Sequence, residues 1–206
     1  MDRNLNNSVN RGCKLNRWVK ITISGPPGSG TTTIAKKISD ELNIPLISAG
    51  DLFRRLARER GMTVEEFGRY AESNPDIDML IDKTQKEEAA SLDECVVEGR
   101  LSAWMVENTT LKVLIFADDR VRFERIARRE RKSIEAAKQE TLNRENIERE
   151  RYRKYYGIEV DNWSIYDLII NSASFKPDEI VGIILKALEF RKDRGKNDAE
   201  KEKKSG

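Results

Sequence analysis

At 206 residues the chain is long enough to bury a core within one domain, and 38 Lys+Arg against 36 Asp+Glu argue for neither a nucleic-acid nor a membrane partner. There is no histidine, which removes histidine acid–base chemistry and histidine metal ligation together, and two cysteines, Cys13 and Cys95, make no disulfide framework. No apolar run approaches a membrane span and the polar N-terminus lacks a signal-peptide pattern, so the sequence reads as a cytoplasmic protein.

Residues 1–17 are polar, Asn-rich and aperiodic, and are expected to form a flexible N-terminal arm. Trp18 to Ser24 reads as a buried strand. It runs into Gly25-Pro26-Pro27-Gly28-Ser29-Gly30-Thr31-Thr32-Thr33, and a helix is predicted over Thr31–Leu42 from Ile34, Ile38 and Leu42 on one face. Ile44–Ser48 is the second strand. Asp51 is expected to cap a helix to Arg60, stopped by Gly61. Thr63 and Glu66 form a capping-box pattern for the next helix. Asp76–Ala90 reads as a polar amphipathic helix, Cys95–Glu98 as strand three with Cys95 in the core, and Leu111–Phe116 as strand four. Asp119–Arg131 and Ser133–Tyr156 read as helices, the second long, charge-dense and ended by Gly157. Asp167–Asn171 is strand five. Pro177 opens the last helix, expected to end near Phe190, with 191–206 a charged, solvated tail. Five strands interleaved with helices predict an α/β fold with a five-stranded parallel sheet and right-handed crossovers.

The glycine stretch carries the strongest chemistry. Strand, glycine-rich turn, helix is the context in which G-x-x-x-x-G marks a phosphate site. The backbone N–H groups curl round one anion and the helix adds its positive end. Thr32 stands at the Ser/Thr position whose hydroxyl ligates Mg²⁺ in such loops, but Thr31 stands where Lys belongs. Gly50 lets the chain turn after strand two, so Arg54 one helical turn on either reaches back to a phosphate or is a surface arginine beside Arg55. Glu98-Gly99-Arg100 ends strand three. Its carboxylate suits Mg²⁺ and its guanidinium suits a bidentate phosphate or base contact, with an internal salt bridge as the alternative.

Arginines crowd between Arg120 and Arg153. Many are expected to pair with Glu145, Glu148 and Glu150 at helical spacing on a solvated face. An RNA surface would need aromatic or glycine-rich elements that the segment lacks. The alternative is a lid whose arginines neutralise a transferring phosphoryl group. Arg144 and Arg151 lie two turns apart on one face and could aim inward together. No residue stands out as a covalent nucleophile, so the reaction class is direct phosphoryl transfer by positioning and charge neutralisation.

Taken together, these motifs resemble those of the P-loop nucleoside-monophosphate kinases, and specifically the archaeal type of cytidylate kinase, over about Val19 to Leu188. Ser48-x-Gly50-Asp51-Leu52-x-Arg54 is similar to the monophosphate-binding turn, which implies that Arg54 holds the acceptor phosphate. Glu98-Gly99-Arg100 resembles the Asp-Gly-Arg segment of cytidylate kinases, which implies a CMP contact for Arg100. Arg125 and Arg129 resemble the Arg-x-x-x-Arg on the ATP side of the lid, and Arg144 and Arg151 match two lid arginines. Ile77–Asp82 is similar to the monophosphate-binding insert of the archaeal type, which makes Asp78 and Asp82 base or ribose contacts. The resemblance implies one kinase domain over 18–190, with an insert at about 51–92 and a lid at about 129–157. It further implies Mg²⁺-assisted transfer from ATP to CMP or dCMP, with Glu98, Arg144 and Arg151 catalytic and a monomeric protein. The alternatives are an adenylate-kinase-like enzyme or a nucleotide-binding regulator without turnover, the latter because Thr31 replaces Lys.

Overall fold

The computed structural model describes residues 19–74 and 76–204, with side chains described except at Glu72 and 193–204. The expected arm and Trp18 lie outside the described residues. Five strands, β1 (Lys20–Ser24), β2 (Leu46–Ser48), β3 (Cys95–Glu98), β4 (Leu111–Phe116) and β5 (Leu168–Asn171), form one sheet in the order β2-β3-β1-β4-β5. All neighbours are parallel. The helices are α1 (Thr31–Leu42), α2 (Ala49–Glu59), α3 (Val64–Glu72), α4 (Asp76–Ser91), α5 (Ser102–Met105), α6 (Asp119–Glu130), α7 (Ile134–Tyr156) and α8 (Pro177–Lys204).

Every residue of β1 is buried, as expected of a central parallel strand covered on both faces. Alternate residues serve different layers. Ile21, Ile23, Val96, Val113 and Ile115 meet Ile34 and Ile38 of α1 and Ile180 and Ile184 of α8. On the β2–β3 side, Ile47, Cys95 and Val97 meet Phe67, Ile77 and Ile81. Each such aliphatic side chain contributes about 1.5–3 kcal/mol by leaving water. Cys95 is fully buried, as predicted.

The helix ends follow local chemistry. Thr63 and Glu66 make the full capping box at α3, Ser133 caps α7, and Gly157 closes α7 in the left-handed region at φ 65°. Three boundaries differ from expectation. The N-cap of α2 is Ser48, and Asp51 lies inside the first turn, because the chain passes from strand to helix without a linker. The four-residue helix α5 was not predicted, since it is too short to show a period. The last helix runs past Phe190 to Lys204. Its distal part is rich in Lys, Arg and Glu, whose helical propensity acts without an apolar stripe to signal it.

Candidate active site at the carboxyl edge of the sheet

The carboxyl ends of the strands gather around the glycine loop, at the edge where open parallel sheets bind ligands. Gly25 leaves β1 so close to β4 that a Cβ would sit 2.1 Å from the Ile115 carbonyl oxygen. Gly28 adopts φ +81°, and a Cβ there would lie 2.7 Å from the Arg122 carbonyl oxygen. No side chain caps α1 at Gly30 and its first turn holds no acidic residue. The first-turn N–H groups and the helix dipole therefore face the hollow of the loop, as an anion cradle requires. Outside the loop, Arg125 Nη1 donates to Ser172 Oγ (2.8 Å), with weaker contacts to the Gly28 and Ser29 carbonyls at 3.3 and 3.4 Å. Ser172 Oγ itself donates to the Ser29 carbonyl at 2.6 Å. Arg129 points elsewhere: it pairs with Glu130 and is 66% exposed.

Glu98 is the hub beneath the loop. Its Oε1 accepts from Thr31 Oγ1 at 2.8 Å and from Thr32 Oγ1 at 3.2 Å, and its Oε2 accepts from Ser48 Oγ at 2.7 Å. A buried carboxylate is expensive unless its lone pairs are occupied, and three hydroxyls occupy them here. Gln85 Nε2 clamps the strand ends from α4, donating to the carbonyls of Glu98 (2.8 Å) and Ile47 (3.3 Å).

Arg100 leaves the same strand end and meets α7. Its Nη2 lies 4.0 Å from Glu145 and its Nε 3.6 Å from Glu148. These are Coulombic contacts without hydrogen bonds: Arg100 Nε and Glu148 Oε2 are both buried and unpartnered. Arg144 Nε donates to Glu148 at 2.7 Å but its side chain is 70% exposed, whereas Arg151, 14% exposed, pairs with Asp78 across the gap to α4. The two arginines thus share a helix face without equal burial. Arg54 is half exposed and pairs with Asp51 at 2.6 Å in its own helix.

The expected i,i+4 pairing along α7 is corrected by the structure. Arg144–Glu148 forms within the helix, but Arg149 pairs with Asp161 and Arg153 with Glu159. Glu145 and Glu148 face inward in the stripe Ala137, Thr141, Glu145, Glu148, Tyr152, so both also take partners from outside α7. The tightest is Arg122 of α6, which sequence inspection did not single out. It is 4% exposed, and its Nη1 donates to Glu145 Oε1 at 2.7 Å and to the Pro27 carbonyl at 2.9 Å.

Between α4 and the end of α7 lies a cleft of about 480 Å³ lined by Met79, Leu80, Asp82, Lys83, Met105 and Tyr156 among others. Tyr156 donates to Asp82 at 3.1 Å. Burial pushes the Asp82 carboxyl up to about 6, against the opposing pull of Tyr156 and Arg151. Burial also raises Asp78, despite the Arg151 guanidinium beside it. The two carboxylates lie one turn apart on α4, and burial raises both.

Ser48, Gln85, Arg122, Glu145 and Glu148 complete the arrangement. Of these, Ser48 carried a sequence signal as the start of the Ser48–Arg54 turn, and Glu145 and Glu148 did as members of a charge run; Gln85 and Arg122 carried none. No helix among the described residues is long and apolar enough to cross a membrane.

The cytidylate kinase-like family model matches residues 20–174. A cytidylate kinase of Archaeoglobus fulgidus is 61% identical over 174 residues, 84% of this chain and 97% of that one. One of Pyrococcus horikoshii is 44% identical over 186 residues, 90% of this chain and 96% of that one. A crystal structure of a shikimate kinase from Bacteroides thetaiotaomicron shares the fold, with a TM-score of 0.55 at 18% identity, covering 83% of this chain and 98% of that one. With the strand order, the glycine loop and the Glu98–Arg100 segment in place, the chain belongs to the cytidylate kinase-like family.

Proposed function

We propose that the chain catalyses transfer of the γ-phosphoryl group of ATP to CMP or dCMP, giving ADP and CDP or dCDP. The observation that carries this is the junction at Glu98. The same carboxylate accepts from two threonines of the glycine loop, and Arg100 stands two residues on, so anion sites for donor and acceptor share one strand end. The cytidylate kinases similar to it support the acceptor.

In this proposal the glycine loop, Gly25 to Thr33, holds the triphosphate through backbone N–H groups, with Arg125 bracing it and Arg129 joining from α6. Arg54 and Arg100 hold the acceptor phosphate, and Asp78 and Asp82 meet its base or ribose from the α4 wall. To reach those ligands Arg54 must leave Asp51, and Arg100 must leave Glu145 and Glu148. Their pairs differ in strength: the half-exposed Arg54–Asp51 pair is worth at most about 1 kcal/mol, and the Arg100 contacts have no hydrogen bond to lose. Residues 129–157 act as a lid and 51–92 as the acceptor-binding insert. Closure brings Arg144 and Arg151 to the transferring group and excludes water, which would otherwise turn transfer into hydrolysis.

The oxygens of Thr32, Ser48 and Glu98 are the hard donors Mg²⁺ takes when phosphates supply the rest of its shell, so Thr32 and Glu98 fit the role of holding it. When bound, Mg²⁺ neutralises charge on the phosphates. The chain is proposed to act as a monomer in the cytoplasm.

A panel of nucleoside monophosphates with Mg-ATP tests the proposal. CMP and dCMP are expected to be the fastest acceptors, with UMP slower. AMP turning over faster than CMP would overturn the acceptor assignment, and binding of both nucleotides without turnover would favour a regulator.

A further inference from the structure

We propose that Arg122 and Glu145 are positioning residues that couple the occupancy of the glycine loop to the affinity of the acceptor site. This rests on the placing of the acceptor at Arg100 and goes beyond it. Arg122 touches the loop twice. Its guanidinium donates to the Pro27 carbonyl at 2.9 Å, and its own carbonyl packs where a Cβ on Gly28 would come within 2.7 Å. The same guanidinium holds Glu145 through both nitrogens, at 2.7 and 3.4 Å, and is anchored in α6 by Asp119 at 2.5 Å. Glu145 then faces Arg100 at 4.0 Å. A continuous line of charge therefore runs from the loop, through α6 and α7, to the strand end that would bind the acceptor.

The chemistry of this line favours coupling over simple bracing. Arg122 and Glu145 are 4% and 8% exposed, and a buried ion pair is weak evidence for stability because desolvation offsets most of its attraction. The pair is also unsymmetrical. Glu145 is bound tightly to Arg122 by hydrogen bonds and loosely to Arg100 by charge alone. A phosphate dianion arriving at Arg100 repels Glu145 and drives it toward Arg122. An anion settling in the loop fixes the Pro27–Gly28 segment, and with it Arg122 and the position of Glu145. Each ligand sets the bridge in the form the other needs, and such coupling is reciprocal by thermodynamic necessity.

Calorimetry on the full chain tests this. The Kd of CMP is measured alone and with a saturating, Mg²⁺-loaded β,γ-imido ATP analogue. The wild type is expected to bind CMP about fivefold or more tightly with the analogue present. Glu145→Gln, nearly isosteric, is expected to bring that ratio to about one while the protein stays folded by circular dichroism. Arg122→Lys, which keeps the charge and loses the planar fork, is expected to retain part of the ratio. A wild-type ratio of about one, or an undiminished ratio in Glu145→Gln with only the melting temperature lowered, overturns the proposal and makes the pair a structural pin. Arg100→Ala is the separate control: unchanged CMP affinity there would show that the acceptor is not at Arg100, and the coupling path would fall with it.

Discussion

Asp82→Asn offers the sharpest quantitative test of the α4 wall. The carboxyl is pushed from 3.8 to about 6 by burial, while Tyr156, Arg151, Asp78 and Glu148 face it. An acid whose folded pKa lies above its unfolded one holds its proton longer in the native state. Stability therefore falls as pH rises from about 4 through about 6, and the full cost is present above that. Raising a carboxyl from 3.8 to about 6 costs the ionised native state about 3 kcal/mol, and partial solvent access reduces this to about 2 kcal/mol. Asparagine keeps an oxygen for the Tyr156 hydroxyl and carries no charge to desolvate. For a chain of this size the variant should melt about 4–8 °C higher than wild type at pH 8. The advantage should shrink steadily on going down to about pH 4.5. Thermal denaturation followed by circular dichroism across that range reads it directly. A variant less stable than wild type at pH 8, or a difference that does not change with pH, would refute the reasoning. The same substitution is expected to raise the KM for CMP, since a carboxylate retained against its own stability cost needs a ligand to explain it.

Arg100→Ala is expected to lower kcat/KM by about a hundredfold or more while barely moving the melting temperature, because the guanidinium has no hydrogen bond to α7 to lose. Loss of the fold instead would make it a structural ion-pair residue. Gly25→Ala should abolish binding of the ATP analogue and destabilise the protein by about 1–3 kcal/mol, since the new methyl meets the Ile115 carbonyl oxygen at 2.1 Å; calorimetry and melting curves check both. Thr31→Lys is expected to give no large gain in turnover. A rise of more than about tenfold would show that nothing in the native site had replaced the missing cation.

What could be read in the sequence was what depends on local order. Strand, glycine turn and helix at 19–42 follow from consecutive residues, as do the Thr63–Glu66 capping box and the Gly157 stop. The alternation of five strands with helices was enough for the sheet, because parallel strands with right-handed crossovers leave few arrangements. Glu98 and Arg100 stood out because charge at the end of a buried strand needs a reason. Gln85 and Arg122 did not, because their partners lie far along the chain: Gln85 reaches Ile47, and Arg122 reaches Pro27. Nothing within a few residues of either distinguishes a buried clamp from an ordinary polar helix position. The α7 charge run misled for the same reason. Helical spacing predicts which side chains are neighbours on the helix, and Arg144–Glu148 forms that way, but Glu145 and Glu148 point inward, where Arg122 of α6 takes Glu145 and Arg100, just beyond β3, faces both.

The threonine at position 31 gains a physical rationale from Glu98. Its hydroxyl donates to Glu98 at 2.8 Å, beside the bond from Thr32. A lysine at 31 would place an ammonium in reach of this same buried carboxylate. It would also neutralise the carboxylate proposed to hold Mg²⁺ beneath the loop. With threonine, Glu98 is satisfied by hydroxyls, and on the proposed mechanism the positive charge a phosphoryl group needs comes from arginines outside the loop. Arg100, Arg144 and Arg151 are each held by a carboxylate of α7 or α4 in the present arrangement. A cation that must first be released is available only when a competing anion has arrived. A fixed P-loop lysine would instead be available at all times, including to ATP alone in the absence of an acceptor. On this argument Thr31→Lys should raise hydrolysis of ATP without CMP more than it raises transfer to CMP. Assaying both reactions in one preparation decides it, and an increase confined to CMP-dependent turnover would contradict the argument.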